Sequence, residues 1–243
     1  MAITALAGCS SGRKPENVVD THAATTPVQS NGAAATPPTP TTRGERPTVL
    51  FVGTSLTAGL GLDPDSAYPM LIERKIDSAG MKFDVVNAGV SGETTSGLLD
   101  RLDWLSKAKF DVLVLETGAN DGLRGIPPAM VRANIETAID RLRAKRPDAK
   151  LVLVQMEALP NFGATYAADF HAIYPMVAKE KGIALLPFLL GDVAGNRELN
   201  QADGVHPNAV GERIVASNVW KGLEPILRAA ANGTGAAGGA SDE

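Results

Sequence analysis

Cysteine is nearly missing from this chain of 243 residues: Cys9 stands alone. That excludes an intrachain disulfide and any multi-cysteine metal centre. Histidine is almost as scarce. His22, His171 and His206 leave little for a histidine-built metal site, although one histidine is enough for acid–base chemistry. Aromatic residues make up 5%, too few to advertise a stacking platform. No apolar run approaches the ~18 residues that a spanning helix needs. No block of basic residues appears either, and a formal charge of −4 gives no global pull on nucleic acid.

Apolar residues make up an ordinary 44%, but they are unevenly spread. Residues 10–47 hold Pro15, Pro27, Pro37, Pro38, Pro40 and Pro47 among Thr, Ala, Ser and Asn. With almost no large apolar side chains, this stretch cannot offset the entropy of ordering itself, and it reads as a disordered, flexible tether. Residues 229–243 read as a disordered tail for the same reason. The folded unit is then 48–228, one domain with no internal repeat.

Within that unit, short apolar runs alternate with amphipathic stretches. Residues 48–53, 83–88, 111–117, 150–155 and 183–189 read as strands. Residues 66–78 fit a helix with Leu71 and Ile72 inward, and 94–107 fit another through Leu98, Leu102 and Leu105. Pro127 and Pro128 open a third, with Val131, Ile135, Ala138, Ile139 and Leu142 on its inner face. Residues 165–180 form a fourth, carrying Tyr166, Phe170, Ile173 and Val177 and interrupted by Pro175. Residues 208–223 form the last, with Val210, Ile214 and Val219 among its apolar positions. The pattern predicts an α/β fold: a three-layer α/β/α sandwich around a parallel sheet of five strands. Ligands of such sheets bind beyond the carboxyl ends of the strands.

Four motifs fall at that end. Gly53-Thr54-Ser55-Leu56 follows the first strand. Alone it is also a helix cap or an anion-binding turn, but it lacks the lysine of a phosphate loop. Asn87 to Thr94 follows the second strand, where Gly92 can aim a backbone N–H at a ligand or simply make a turn. Gly118-Ala119-Asn120-Asp121 follows the third. There the Asn120 amide can donate to an oxyanion or serve a turn, and Asp121 reads as a structural acceptor. Asp203-Gly204-Val205-His206-Pro207 precedes the last helix. Asp203 can hold His206 Nδ1 and leave Nε2 as a base, although the pair alone fits a structural hydrogen bond equally well. Together the motifs provide a nucleophile, an oriented base and oxyanion donors on one rim, which is what acyl transfer requires.

With these residues the chain resembles the SGNH hydrolases, also called GDSL esterases and lipases. Within them it is most similar to the bacterial arylesterase and lysophospholipase/thioesterase I subgroup. The resemblance covers about 48–227, and Leu199 to Pro207 and Gly118 to Gly125 carry it most closely. It implies a flavodoxin-like parallel sheet and a serine esterase without metal or organic cofactor. Ser55, Asp203 and His206 would be catalytic, with Ser55, Gly92 and Asn120 forming the oxyanion hole. The family's aspartate before the nucleophile is Thr54 here. That aspartate is not the triad acid, so catalysis is expected to survive, but the hydrogen bonding of the nucleophile turn must be made differently.

The loop after the fourth strand, residues 156–163, is expected to line the acyl side. Met156, Pro160, Phe162 and Phe188 are the candidate substrate-binding residues. The partner is then a small-molecule ester with a short acyl chain or an aryl group; thioesters and lysophospholipids follow chemically. The alternatives are a carbohydrate O-acetyl esterase and a non-enzymatic, lipid-anchored binding domain. Residues 6–9, Leu-Ala-Gly-Cys, resemble the lipobox of bacterial lipoproteins. On that resemblance Cys9 is lipidated, residues 1–9 are a signal remnant, and the tether holds a periplasmic or membrane-anchored domain away from the bilayer. The alternative is an unprocessed cytoplasmic chain with an exposed thiol. The sequence assigns no oligomeric state.

Overall fold

The computed structural model describes residues 46–235. Cys9, His22, the tether up to residue 45 and the last eight positions, 236–243, lie outside the described residues. Five strands make one sheet: β1 (Thr48–Gly53), β2 (Asp84–Gly89), β3 (Val112–Leu115), β4 (Lys150–Val154) and β5 (Ala184–Leu186). Every pairing is parallel and the order is β2-β1-β3-β4-β5. This is the flavodoxin-like order, whose reversal point lies between β1 and β3.

Seven helices surround the sheet among the described residues: α1 (Ser55–Ala58), α2 (Tyr68–Ser78), α3 (Thr95–Leu105), α4 (Ala119–Arg124), α5 (Pro128–Lys145), α6 (Ala164–Lys181) and α7 (Ala209–Gly235). Helices α3, α5 and α6 pack side by side, and α2 packs with α7. With right-handed crossovers, this places the two groups on opposite faces of the sheet. The central strands are therefore covered on both sides, and β1 from Val49 and all of β3 are buried. The predicted inner face of α5 is the observed one: Val131, Ile135, Ala138, Ile139 and Leu142 are at most 1% exposed. At about 1.5–3 kcal/mol for each large apolar side chain removed from water, such faces, not helix propensity, hold the layers together.

One sequence expectation needs correction. The region 229–235 is the end of α7, not part of a tail. Its alanines are the strongest helix formers, and Ala230 and Ala231 pack against the core. Val210 points outward at 46% exposure, because the buried stripe of α7 runs through Val215, Val219, Leu223 and Leu227. The Gly118 block is not a plain turn but starts α4, a helix too short to show a period.

Pro175 does not break α6. Proline deprives the carbonyl four residues earlier, that of His171, of its helical partner. Gln155 Nε2, just past β4, donates to that carbonyl at 3.2 Å. The proline thus opens a port on the helix that the sheet fills.

Candidate active site

The nucleophile turn is built from β1 outward. Thr54 caps α1, its Oγ1 accepting from Leu56 N at 3.3 Å, and Gly59 closes the helix at φ +71°. A side chain at Gly59 would run into Ala67. Ser55 is thereby the first residue of α1, where its N–H has no partner inside the helix. The hydrogen bonding that Thr54 must supply is directed at Glu116, just past β3. Glu116 accepts from Thr54 N at 2.7 Å, from Thr54 Oγ1 at 2.9 Å and from Thr57 Oγ1 at 2.9 Å. Thr54, Thr57 and Glu116 are fully buried. Burial pushes the Glu116 carboxyl above its ordinary pKa, against the lowering effect of these bonds. Thr57 Oγ1 also meets Tyr68 Oη at 3.0 Å, and Tyr68 N donates to Glu212 Oε2 at 2.7 Å. Burial pushes Glu212 up to about 8, although that N–H favours its ionised form. A buried hydrogen-bonded series therefore runs from the nucleophile turn to α7.

The base comes from a loop folded on itself. Asp203 Oδ1 accepts from Val205 N at 2.9 Å and His206 N at 3.0 Å, an Asx-type turn that Gly204 completes at φ +71°. Gln201 N donates to His206 O at 2.7 Å, and Gln201 Nε2 reaches Leu60 O at 2.7 Å, beside the nucleophile turn. Asp203 Oδ2 lies 2.7 Å from His206 Nδ1, and His206 Nε2 lies 2.9 Å from Ser55 Oγ. The carboxylate only accepts, so the Nδ1 proton belongs to this bond and Nε2 faces the serine hydroxyl. The N–H groups of His206 and Val205, then the His206 ring, hold the Asp203 carboxyl down at about 2.

Gly92 and Asn120 flank the serine. Gly92 has φ +78°, which favours glycine although a side chain there would meet nothing. Asn120 follows the α4 cap Gly118, whose φ of +97° keeps that position free beneath Tyr174 Oη. Asn120 Nδ2 donates one hydrogen bond to Glu93 O at 2.9 Å. Glu93 is paired with Arg101, and burial pushes its carboxyl up while Arg101 opposes. Asp121 acts as an acceptor, as read from sequence: it takes Thr95 N at 2.9 Å and Thr95 Oγ1 at 2.6 Å, at the start of α3.

Ser55, Gly92, Asn120 and His206 line one cleft of about 460 Å³. Met156 and Phe188 line it too. Phe162 does not: it lies over Tyr166, ring centroids 5.3 Å apart, and against Gly125. Pro160 opens the short 3-10 turn Pro160–Phe162, but its side chain lies outside the described residues. Glu157, Ala158 and Leu159, from the 156–163 loop expected to line the acyl side, do so, whereas the sequence reading missed Leu60, Leu123 and Val205 as lining residues. Leu60 directly follows the nucleophile helix and Val205 lies inside the His206 motif, so both had a local signal. Leu123 had none. Among the described residues no group of acidic, histidine or cysteine side chains is arranged to hold a metal ion.

Comparison with known proteins agrees with this geometry. The GDSL-like Lipase/Acylhydrolase family matches across residues 51–214. The chain is 38% identical over 181 residues to Esterase TesA of Pseudomonas aeruginosa, covering 74% of this chain and 89% of that protein. It is 34% identical over 176 residues to an arylesterase of Vibrio mimicus, covering 72% and 87% respectively. The crystal structure of TesA superposes with a TM-score of 0.70 at 38% identity, covering 74% of this chain and 99% of that one.

Proposed function

The chain belongs to the GDSL-like lipase/acylhydrolase family, and on that premise we propose that it is a serine esterase cleaving carboxylic esters through an acyl-serine intermediate. The observation that carries this reading is the contact of Ser55 Oγ with His206 Nε2 at 2.9 Å, backed by Asp203 on the opposite ring nitrogen. His206 takes the Ser55 proton as the hydroxyl oxygen bonds to the ester carbonyl carbon. The N–H groups of Ser55 and Gly92 and the Asn120 amide receive the charge that develops on the carbonyl oxygen. The carbonyl re-forms, the alcohol leaves with the proton from His206, and Ser55 holds the acyl group. Water repeats the sequence and releases the acid. Asp203 stays ionised throughout and stabilises the imidazolium.

The preferred substrates are short acyl and aryl esters; thioesters and lysophospholipids share the chemistry. Support comes from the size of the cleft and its apolar wall, including Met156 and Phe188. Each CH₂ that still meets this wall adds roughly 0.8 kcal/mol, and the gain ends where the wall ends. An organophosphonate is expected to label Ser55 alone, and Ser55→Ala to lose nearly all esterase activity. Labelling elsewhere would overturn the assignment. In a p-nitrophenyl series from acetate to palmitate, kcat/KM is expected to peak at a short chain. A maximum at long chains would favour a true lipase, and activity confined to acetylated sugars a carbohydrate esterase.

The Leu-Ala-Gly-Cys run at 6–9 and the proline-rich tether after it support a second proposal. Cys9 is a lipid attachment site on an exported, periplasmic-side protein. Metabolic acyl labelling and membrane fractionation of wild type against Cys9→Ser test this; an unlabelled, soluble wild type rejects it.

A further inference from the structure

Among the described residues lining the cleft, Glu157 is the one acidic or basic side chain besides His206. Its neighbours on the wall are apolar, with Met156 and Ala158 flanking it in the chain and Leu159, Phe188 and Leu190 nearby. The carboxylate is fixed in place. Oε1 receives His171 Nδ1 at 2.7 Å and Gln155 Nε2 at 3.2 Å. The Gln155 amide shares its two hydrogens among this carboxylate, Met156 O at 3.0 Å and the His171 carbonyl that Pro175 leaves open. A site would not need this bracing for a side chain that merely points to water, and Glu157 is only 31% exposed.

The sheet order sets the distances. Glu157 follows β4 and Ser55 follows β1, two strands apart, which is about 10 Å at the usual strand spacing. Arg124, exposed at the end of α4, is engaged with Gly92 O at 3.3 Å. Asp203 is already engaged with His206. The β4 side of the cleft thus carries a carboxylate whose ion-pair partner among the described residues is His171, itself 60% exposed.

We infer that Glu157 sets the charge preference of the esterase proposed above: it admits neutral or cationic acyl groups and discriminates against acyl groups that end in an anion. The effect rests on the esterase reading and deepens it. A second negative charge brought into the apolar cleft meets Glu157 across a medium less polar than water, where repulsion is stronger. For two carboxylates about 10 Å apart at an effective dielectric of about 40, this amounts to roughly three- to fivefold in rate per unit charge, and it weakens as salt screens it.

Two esters isolate this effect. In p-nitrophenyl pentanoate and mono-p-nitrophenyl glutarate, a terminal methyl is exchanged for a carboxylate while the reacting group is unchanged. The quantity read is the ratio of kcat/KM for the glutarate to that for the pentanoate within one enzyme, so any general loss of activity cancels. Glu157→Gln is expected to raise the ratio about three- to fivefold at low salt, and Glu157→Lys about tenfold or more. Both gains should shrink towards unity in 0.5 M NaCl, a concentration at which the Debye length is only about 4 Å. A ratio unmoved in both variants, or shifts that ignore the sign of the new charge or the salt, would overturn the inference while leaving the esterase intact. A wild type that cleaves neither ester would instead defeat the esterase reading, and this inference with it.

Discussion

Ser55 and His206 meet at 2.9 Å, yet the two regions that bring them together are built on opposite plans. The nucleophile turn is held from below: fully buried Thr54, just past β1, and Thr57, on α1, both bond to fully buried Glu116, just past β3 and 62 and 59 residues away. The base loop is held from within: Asp203 grips the backbone two and three residues on, and its side chain is 46% exposed. The first arrangement ties the catalytic geometry to the integrity of the core. The second lets the base be tuned near the surface with little at stake in the fold. Damage on one side should therefore lower stability and activity together, and on the other activity alone.

The largest effect tests the surface side. Asp203→Asn replaces an acceptor with a group that can donate towards Nδ1, which favours the wrong tautomer of His206. A fall in kcat of about 10³–10⁴-fold is expected, with a melting temperature close to wild type, since exposed substitutions move stability by only about ±0.5 kcal/mol. A large drop in melting temperature would show that the loop is structural after all. On the buried side, Glu116→Ala strands the Thr54 N–H and two hydroxyls without their acceptor. At about 1–3 kcal/mol for a buried polar group left unpaired, and with a cavity added, a loss of about 3–5 kcal/mol is expected in urea unfolding. Turnover should fall alongside it. Stability unchanged by this substitution would erase the contrast between the two regions.

The last effect sharpens the contrast at its far end. Glu212 titrates at about 8 in the fold, against an ordinary value of 4.5. Between those values the unfolded chain has released the proton that the folded chain keeps, so the unfolded state binds fewer protons and stability falls as pH rises. The slope is at most about 1.4 kcal/mol per pH unit. Glu212→Gln removes this contribution, so the stability of the variant relative to wild type should grow from pH 4.5 to pH 8. A difference constant across that range would mean that Glu212 is ionised in the core.

The same contrast explains what the sequence could disclose. The Ser55, Gly92, Asn120 and His206 motifs are local: each is a few adjacent residues at the end of a strand, and the alternation of strands and helices puts those ends on one rim. The inner faces of α3 and α5 were legible because their period survives over several turns. Glu116 and Glu212 were not legible, because their partners lie 62 and 144 residues away and nothing beside them in the chain announces the contact. Phe162 was misjudged for a related reason. Its place in the loop after β4 was clear, but the direction of its ring depends on Tyr166 and Gly125. The alanines at the end of α7 were ambiguous by composition, since alanine suits a helix as well as a linker and only packing decides.

Pro175 carries a consequence for how the chain assembles. A helix sliding along a sheet can settle one turn out of place with little penalty if its apolar stripe is forgiving. In the interior of helix α6 Pro175 frees the carbonyl of His171, and just past β4 the Gln155 amide reaches it. A slip of one turn, about 5.4 Å, would leave the carbonyl bare and the amide without that acceptor, and would part His171 from Glu157 as well. The proline that weakens the helix as an isolated segment therefore adds a contact that favours the native register once α6 lies on the sheet.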